Sequence, residues 1–271
     1  MSALKLRLRQ SIHQRIDMSP FTPQRLADMR LTEIARLPLW QGNQKVACGD
    51  LFVLSGDDPQ DIVIQSDSDR LDEIGSGMTD GSIHVEGCAG AYLGYTMRGG
   101  SLFVTGDVGI AAGCNMSAGT LTIAGSAGDL LGGAITGERQ GMRGGKIIVK
   151  GNAGDRAGDQ MRRGTILIGG NAGDYCASRM IAGTLVVRGE AGAKTGLAMR
   201  RGTLLLSREP ASLPASFNDN GKHNLNFLTL FTRSLQNQPG FSDLWKRGSR
   251  VQRWLGDLGY DGKGEILVWC E

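Results

Sequence analysis

The chain has 271 residues, a net charge of +3 and 42 glycines, about twice the usual share of glycine. So small a net charge does not indicate a protein that binds nucleic acid or membrane surfaces, and no apolar run approaches the roughly 18 residues of a membrane-spanning helix. The first residues lack the apolar core of a secretion signal. Five cysteines without a CxxC pair favour free thiols and a cytoplasmic location.

Residues 1–73 are predicted to form an N-terminal cap of mixed β and α structure. The alternating segment LKLRLR reads as a strand, and Thr22-Pro23 is typical of the start of a helix. Segments 50–56 and 61–67 then read as strands that run into the next part of the chain. A cap is expected here because the end of a repetitive sheet otherwise exposes unpaired strand edges.

The glycine excess follows a repeat of 19 residues. Glycine recurs three residues before, and three, nine and twelve residues after, a methionine, and aliphatic residues follow that methionine at five and seven. These glycine columns hold 25 of the 42 glycines. Consecutive methionines of the series are 19 residues apart, except for one interval of 26. The series is Met78, Met97, Met116, Met142, Met161, Met180 and Met199.

The repeat predicts the fold class. Two aliphatic residues spaced two apart have the period of a strand, and glycines at this density interrupt any helix. We therefore expect residues 74–209 to form a right-handed parallel β-helix of about seven coils in an all-β-dominated chain. The methionines are expected to form a core ladder; a metal or redox stripe is disfavoured because each keeps phase with the aliphatic columns.

The interval of 26 residues contains a seven-residue insertion, which the spacing places at 133–139. Insertions in solenoids form loops on one face and are natural points of contact. Its candidate partner-contacting residues are Gly133, Ile135, Glu138 and Arg139. A tolerated surface loop without a role is the alternative.

Arginines recur in the two positions that follow the methionine and are expected to form a basic stripe, interrupted at Ile181. Such a stripe suits an acidic partner or a polyanionic ligand, because arginine binds carboxylates through two parallel hydrogen bonds. A solvated edge that prevents self-association is the alternative. The stripe comprises Arg98, Arg143, Arg162, Arg163, Arg200 and Arg201.

Residues 210–271 have fewer glycines than the repeats and are predicted to form the third region, a partly helical tail. Apolar periodicity predicts helices at Phe227–Gln236 and Phe241–Leu255, followed by a strand at Glu265–Cys270. This tail could cap the last coil or extend as an arm onto a partner.

The sequence has none of the motifs that identify common catalytic sites. It lacks a nucleophile elbow, an HExxH pair, a phosphate-binding loop and a spaced carboxylate pair. Three aspartates share one repeat column (Asp129, Asp155 and Asp174), but three of seven copies are too few for a metal ladder. We therefore predict a structural subunit with no catalytic residue and no metal of its own.

Three of the repeats, GSGMTDGSIHVEGCAG, GYTMRGGSLFVTGDVG and GDQMRRGTILIGGNAG, resemble those of two protein groups. One is the C-terminal β-helix domain of the glutamate synthase large subunit. The other is the C subunit of formylmethanofuran dehydrogenases and of the related formyltransferase/hydrolase complex. The resemblance covers roughly residues 50–206. The expanded coil GAITGERQGMRGG is similar to the free-standing C subunits rather than to the synthase domain, and the tail FNDNGKHNLNFLTLFTRSL resembles the formyltransferase/hydrolase version.

This resemblance implies a scaffold in an obligate hetero-oligomer, packed chiefly against a formyltransferase subunit. Sister subunits would transfer a formyl group from tetrahydromethanopterin to methanofuran and hydrolyse formylmethanofuran to formate, with a metal in the hydrolase. Methanofuran analogues with polyglutamate tails would give the arginine stripe a ligand. The alternatives are the C subunit of a molybdenum or tungsten dehydrogenase, a glutamate-synthase-like subunit that supports an amidotransferase, and a carbohydrate-active β-helix enzyme.

Overall fold

The computed structural model describes residues 2–235, 238, 240–241 and 250–270. The chain forms a parallel β-helix, as the repeat predicts. One long face of the helix is part of a 13-stranded sheet, and a separate four-stranded sheet lies in the N-terminal region.

The N-terminal region covers the first rung of the β-helix. Its elements are β1 (Ala3–Leu8), β2 (Ile16–Asp17), α1 (Pro23–Leu26), α2 (Leu31–Ile34), β3 (Pro38–Gln41), β4 (Gln44–Ala47), α3 (Cys48–Leu51), β5 (Phe52–Ser55), β6 (Asp58–Ser66) and β7 (Leu71–Asp72). Strand β1 pairs in parallel with β6 and antiparallel with β5, so the first sheet edge is covered. The strands predicted at LKLRLR and 61–67 are present, and a helix does begin at Pro23. The strand predicted at 50–56 is present only from Phe52, because Cys48–Leu51 form α3, and it pairs with β1 at the outer edge of the sheet instead of running into the first coil.

Seven strands carry the repeat and stack in parallel on β6. They are β8 (Ser82–Gly87), β9 (Arg98–Val104), β10 (Ala118–Ile123), β11 (Arg143–Val149), β12 (Arg163–Ile168), β13 (Thr184–Val187) and β14 (Arg201–Leu206). The register pairs each aliphatic column with itself in the next strand, as in Ile147 with Ile166 and Val149 with Ile168. Both columns are buried, and all seven repeat methionines are fully buried beside them.

The repeated glycines have two different physical causes. Gly164 stands for the column three residues after the methionine, and its φ of +100° is rarely adopted by residues with a side chain. Gly189 stands for the column nine residues after it, where a Cβ atom would lie 2.6 Å from the backbone of Gly170 in the preceding coil. Backbone conformation selects glycine in the first column, where a Cβ atom would also contact the preceding coil, and close packing of successive coils selects it in the second.

The shared aspartate column has a structural role. The Asp129 carboxylate accepts the backbone N–H of Asp155, and the Asp155 carboxylate accepts that of Asp174, both at 2.8 Å. The Asp174 carboxylate accepts the N–H of Ala193 at 2.8 Å. Each side chain therefore satisfies a backbone donor of the next coil at a corner where the ladder is interrupted.

The C-terminal segment covers the last coil. Its elements are β15 (Asn218–His223), α4 (Asn226–Ser234), β16 (Arg250–Gly256) and β17 (Lys263–Cys270). Strand β17 adds a further parallel rung beyond β14, and β16 pairs antiparallel with β17. The first predicted helix and the final strand are present. The predicted helix at Phe241–Leu255 is wrong from Arg250 onward, where pairing with β17 satisfies the backbone; residues 242–249 lie outside the described part.

A second hydrophobic cluster lies on the outer face of the last coils. The residue six positions after the methionine points away from the core, and from the fourth coil onward it is aliphatic and buried beneath α4 and the tail. Its buried members are Ile148, Leu167, Val186, Leu205, Leu228, Leu235, Phe241, Val251 and Leu267. The tail is therefore attached to the side as well as to the end of the β-helix.

Candidate functional site

The insertion begins two residues later than its spacing predicts. In each coil the second residue before the methionine donates its N–H to the carbonyl three residues earlier, and Gly133 makes this bond to Leu130 at 2.9 Å. Ala134 then donates to the carbonyl of Asp159 in the next coil at 3.0 Å, as the residue before a methionine does elsewhere. The extra residues are therefore 135–141, and Gly133 belongs to the regular coil.

Polar contacts hold the insertion against the β-helix. The Glu138 carboxylate accepts the Tyr95 hydroxyl at 3.2 Å and the Asn115 amide at 2.5 Å. The N–H of Gly141 donates to the carbonyl of Gln160 at 3.0 Å. Burial raises the pKa of the Tyr95 phenol, and the neighbouring Glu138 charge raises it further. The phenol is therefore held protonated as a hydrogen-bond donor.

A cavity of about 270 Å³ lies between the insertion and the corner of the second and third coils. Two arginines reach it, Arg139 from the insertion and Arg143 from the start of β11. Neither side chain has a hydrogen bond or ion pair with any residue in the described ranges. The remaining lining residues are Tyr95, Thr96, Asn115, Glu138 and Gln140.

The six predicted stripe arginines are all exposed. Arg143 pairs with Arg163 across neighbouring strands, and Arg201 pairs with Lys263 of the tail, which extends the stripe. Arg98 lies opposite Ala118, so it is separated from the other cations by one neutral position. Arg143 belongs to the stripe and also lines the cavity beside the insertion, so it connects two features that are separate in the sequence.

The three buried thiols are poorly suited to nucleophilic chemistry. Burial raises the pKa of Cys48, Cys114 and Cys176 to about 12, and the Glu138 charge contributes at Cys114. A thiol with so high a pKa is protonated at neutral pH and a poor nucleophile. All five cysteines are free. Among the described residues no group of three His, Cys, Asp or Glu side chains could hold a metal ion.

Tyr95 and Asn115 are the site residues that sequence reasoning missed. Both lie in the variable positions just before a repeat methionine, where the seven coils share no residue type. Their only signal in the sequence is their position: the same corner carries the insertion two coils after Tyr95 and one coil after Asn115. Glu138, whose carboxylate accepts hydrogen bonds from both, is predicted as a candidate because it lies in the insertion.

The fold and the site define a class: a glycine-rich parallel β-helix with a basic edge and one anchored insertion. The chain belongs to the GXGXG motif family, whose model matches residues 67–226. No helix in the described ranges is long and apolar enough to cross a membrane.

Particular relatives are similar over different lengths. The C subunit of the Fhc formyltransferase/hydrolase complex of Methylorubrum extorquens is 41% identical over 88 residues, 32% of this chain and 33% of that protein. The C subunit of the tungsten-containing formylmethanofuran dehydrogenase 2 of Methanococcus maripaludis is 32% identical over 95 residues, 34% of this chain and 35% of that protein. The matched segments thus span about a third of these curated relatives.

The structural similarity extends over the whole chain. A chain in the crystal structure of the Methylorubrum extorquens formyltransferase/hydrolase complex with methylofuran matches with a TM-score of 0.92 and 40% identity. The match covers 98% of this chain and 100% of that one. It therefore includes the N-terminal cap and the tail as well as the repeats.

Proposed function

We propose that the chain is a non-catalytic scaffold subunit of a formyltransferase/hydrolase complex. The observation that carries this proposal is the similarity, over nearly the full length of both chains, to a chain of such a complex. Two features support a role without catalysis. The buried thiols are protonated, and the described residues contain no cluster that could hold a metal.

In this proposal the chemistry belongs to sister subunits. One transfers the formyl group from tetrahydromethanopterin to a methanofuran-type carrier, and another, which holds the metal, hydrolyses the formylated carrier to formate. The chain packs chiefly against the formyltransferase subunit in an obligate hetero-oligomer in the cytoplasm. Five free cysteines support that location, because disulfides are rare in reducing compartments.

The arginine stripe has the chemistry for an acidic ligand or an acidic partner surface. Arg143 and Arg163 lie on neighbouring rungs, about 4.8 Å apart, and two arginines at this spacing can bind two carboxylates. Reversing the charge of Arg162 and Arg200 tests this role. We expect weaker binding of the acidic component, whereas unchanged complex activity and carrier affinity would refute it.

The dehydrogenase is the second candidate, supported by the partial similarity to the C subunit of a tungsten enzyme. Affinity purification of the tagged chain from its native host, with mass spectrometry of the co-purifying chains, separates the two. We expect chains with formyltransferase and amidohydrolase folds. A metal–pterin subunit with iron–sulfur partners would indicate the dehydrogenase, and a monomer without partners would refute both.

A further inference from the structure

A regular β-helix carries little information about where along its length a partner should dock. Successive coils present the same columns, so a partner that contacts only these columns meets similar side chains after a shift of one rung, about 4.8 Å. The insertion at 135–141 is the one place in the repeated coils where the 19-residue spacing changes. It therefore marks one position on a repetitive surface.

The insertion is anchored firmly enough to act as a marker. Hydrogen bonds donated to Glu138 by Tyr95 and Asn115 attach it to the second and third coils, and the bond donated by Gly141 attaches it to the fifth. Contacts to three coils fix the loop relative to the stripe. A loop ordered before binding loses less conformational entropy when a partner docks.

The charged side chains that line the cavity differ in whether they already have a hydrogen-bond partner within the described part of the chain. The Glu138 carboxylate already accepts two hydrogen bonds, from Tyr95 and Asn115. Arg139 and Arg143 face the same cavity without a partner in the described ranges. An unpaired guanidinium in a recess is best satisfied by a carboxylate, which it binds through two parallel hydrogen bonds.

We propose that this cavity, between the insertion and Arg143, is a socket for an acidic side chain on the surface of a sister subunit. Arg163, one rung beyond Arg143, extends the contact toward a second carboxylate of the same acidic segment. The insertion thereby sets the coil at which the partner docks. This inference rests on the proposed function, because it needs sister subunits that assemble with the chain.

Assembly affinity with the co-purified sister subunits tests the socket. The double variant Arg139→Glu/Arg143→Glu is expected to bind them about 100-fold more weakly, since truncating or reversing one side of a buried charge pair is costly. Arg143→Lys keeps the charge but loses the planar fork, and a loss of about tenfold is expected. Arg7→Glu/Arg36→Glu, which reverses two exposed arginines on the N-terminal cap, is the charge-matched control and should bind as the wild type does.

Deleting residues 135–141 tests the positioning role. The deletion restores the 19-residue spacing, and Ala134 can adopt the conformation that Ala198 has at the same repeat position, with φ of +60°. We expect a folded chain by circular dichroism and thermal unfolding, weaker assembly, and chemical cross-links to the partner spread over several coils. In the wild type the cross-links should cluster at the third to fifth coils.

The outcomes separate the two proposals. If wild-type chain binds no sister subunit, the proposed function fails. If wild-type chain assembles and the double arginine variant, shown to be folded, assembles with equal affinity, the socket is overturned while the scaffold function stands.

Discussion

Arg143 lies directly beside Arg163 in neighbouring parallel strands, although the two occupy different columns of the repeat. Arg143 comes one residue after its methionine, and Arg163 comes two residues after. The register shifts between Arg143 and Lys146, where Gly144 permits a close approach that a Cβ atom would block, 2.2 Å from the carbonyl of Ser117. The register shift thus leaves two like charges opposite each other on neighbouring strands.

Removing one of these charges should stabilise the isolated chain. Like charges directly opposite in a sheet repel each other, and we expect Arg163→Gln to raise the free energy of unfolding by about 0.3 kcal/mol at low salt. The gain should disappear near 1 M salt, where charges are screened within about 3 Å. Denaturant unfolding at both salt concentrations measures it, with Arg36→Gln as the control. A loss of stability would show that Arg163 is paired within the chain.

The buried carboxylate of Asp159 gives a second prediction. It accepts hydrogen bonds from Arg179 (Nε at 2.9 Å) and from the Ser178 hydroxyl at 2.8 Å. Its side chain is 0% exposed, whereas that of Arg179 is 49% exposed. Removing the arginine leaves a buried charge with too few partners, and we expect Arg179→Ala to cost about 3 kcal/mol.

Neutralising Asp159 should lower the free energy of unfolding less than removing Arg179 does. In Asp159→Asn the freed guanidinium can be hydrated, so a loss of about 1.5 kcal/mol is expected. The control is Arg208→Ala, which breaks an ion pair with Glu190 whose two side chains are well exposed and should cost less than about 0.5 kcal/mol. Chemical denaturation of the three variants measures their losses in free energy of unfolding and so gives the order of these losses. An equal cost for all three would contradict the burial argument.

A pair of glycine substitutions separates backbone strain from steric contact. Gly164 and Gly137 have φ of +100° and +90°, but a Cβ atom on Gly164 would lie 2.8 Å from the carbonyl oxygen of Gly145, whereas nothing lies within 4 Å of one on Gly137. We expect Gly164→Ala to cost about 3 kcal/mol and Gly137→Ala about 1 kcal/mol. Thermal and denaturant unfolding measure both. Similar costs would mean that conformation alone selects these glycines.

The repeat was sufficient to predict the β-helix because the same physical requirements recur in every coil. Met161, Gly164 and Ile166 recur for burial, backbone conformation and strand packing, and all three can be recognised from spacing. The outer cluster was missed although a signal was present. From the fourth coil onward three aliphatic residues follow in succession, as in Ile147-Ile148-Val149, a pattern typical of strands buried on both faces.

The errors share a different cause, because contacts distant in sequence decide them. Residues 250–255 have helical periodicity, but they pair with β17, a partner that spacing does not identify. The start of the insertion depends on which N–H reaches Asp159 in the next coil. The pairing of Arg143 with Arg163 depends on a register shift. None of these contacts can be recognised from a single repeat.

The outer cluster predicts how firmly the tail is attached. Phe241 is fully buried there, and truncation of a buried phenylalanine leaves a large cavity, so Phe241→Ala should cost about 3 kcal/mol. Leu230 on α4 is 67% exposed, and Leu230→Ala should change stability by less than about 0.5 kcal/mol. Limited proteolysis and thermal unfolding test both variants. A tail in Phe241→Ala as protease-resistant as in the wild type would contradict this attachment.

The scaffold function is tested most directly by the rate of formate release from the formylated carrier by the sister subunits, prepared without this chain. We expect a low rate because the complex does not assemble, restoration when purified chain is added, and no activity of the chain alone. A rate that is already complete without the chain and unchanged by its addition, or turnover by the chain alone, would contradict the account.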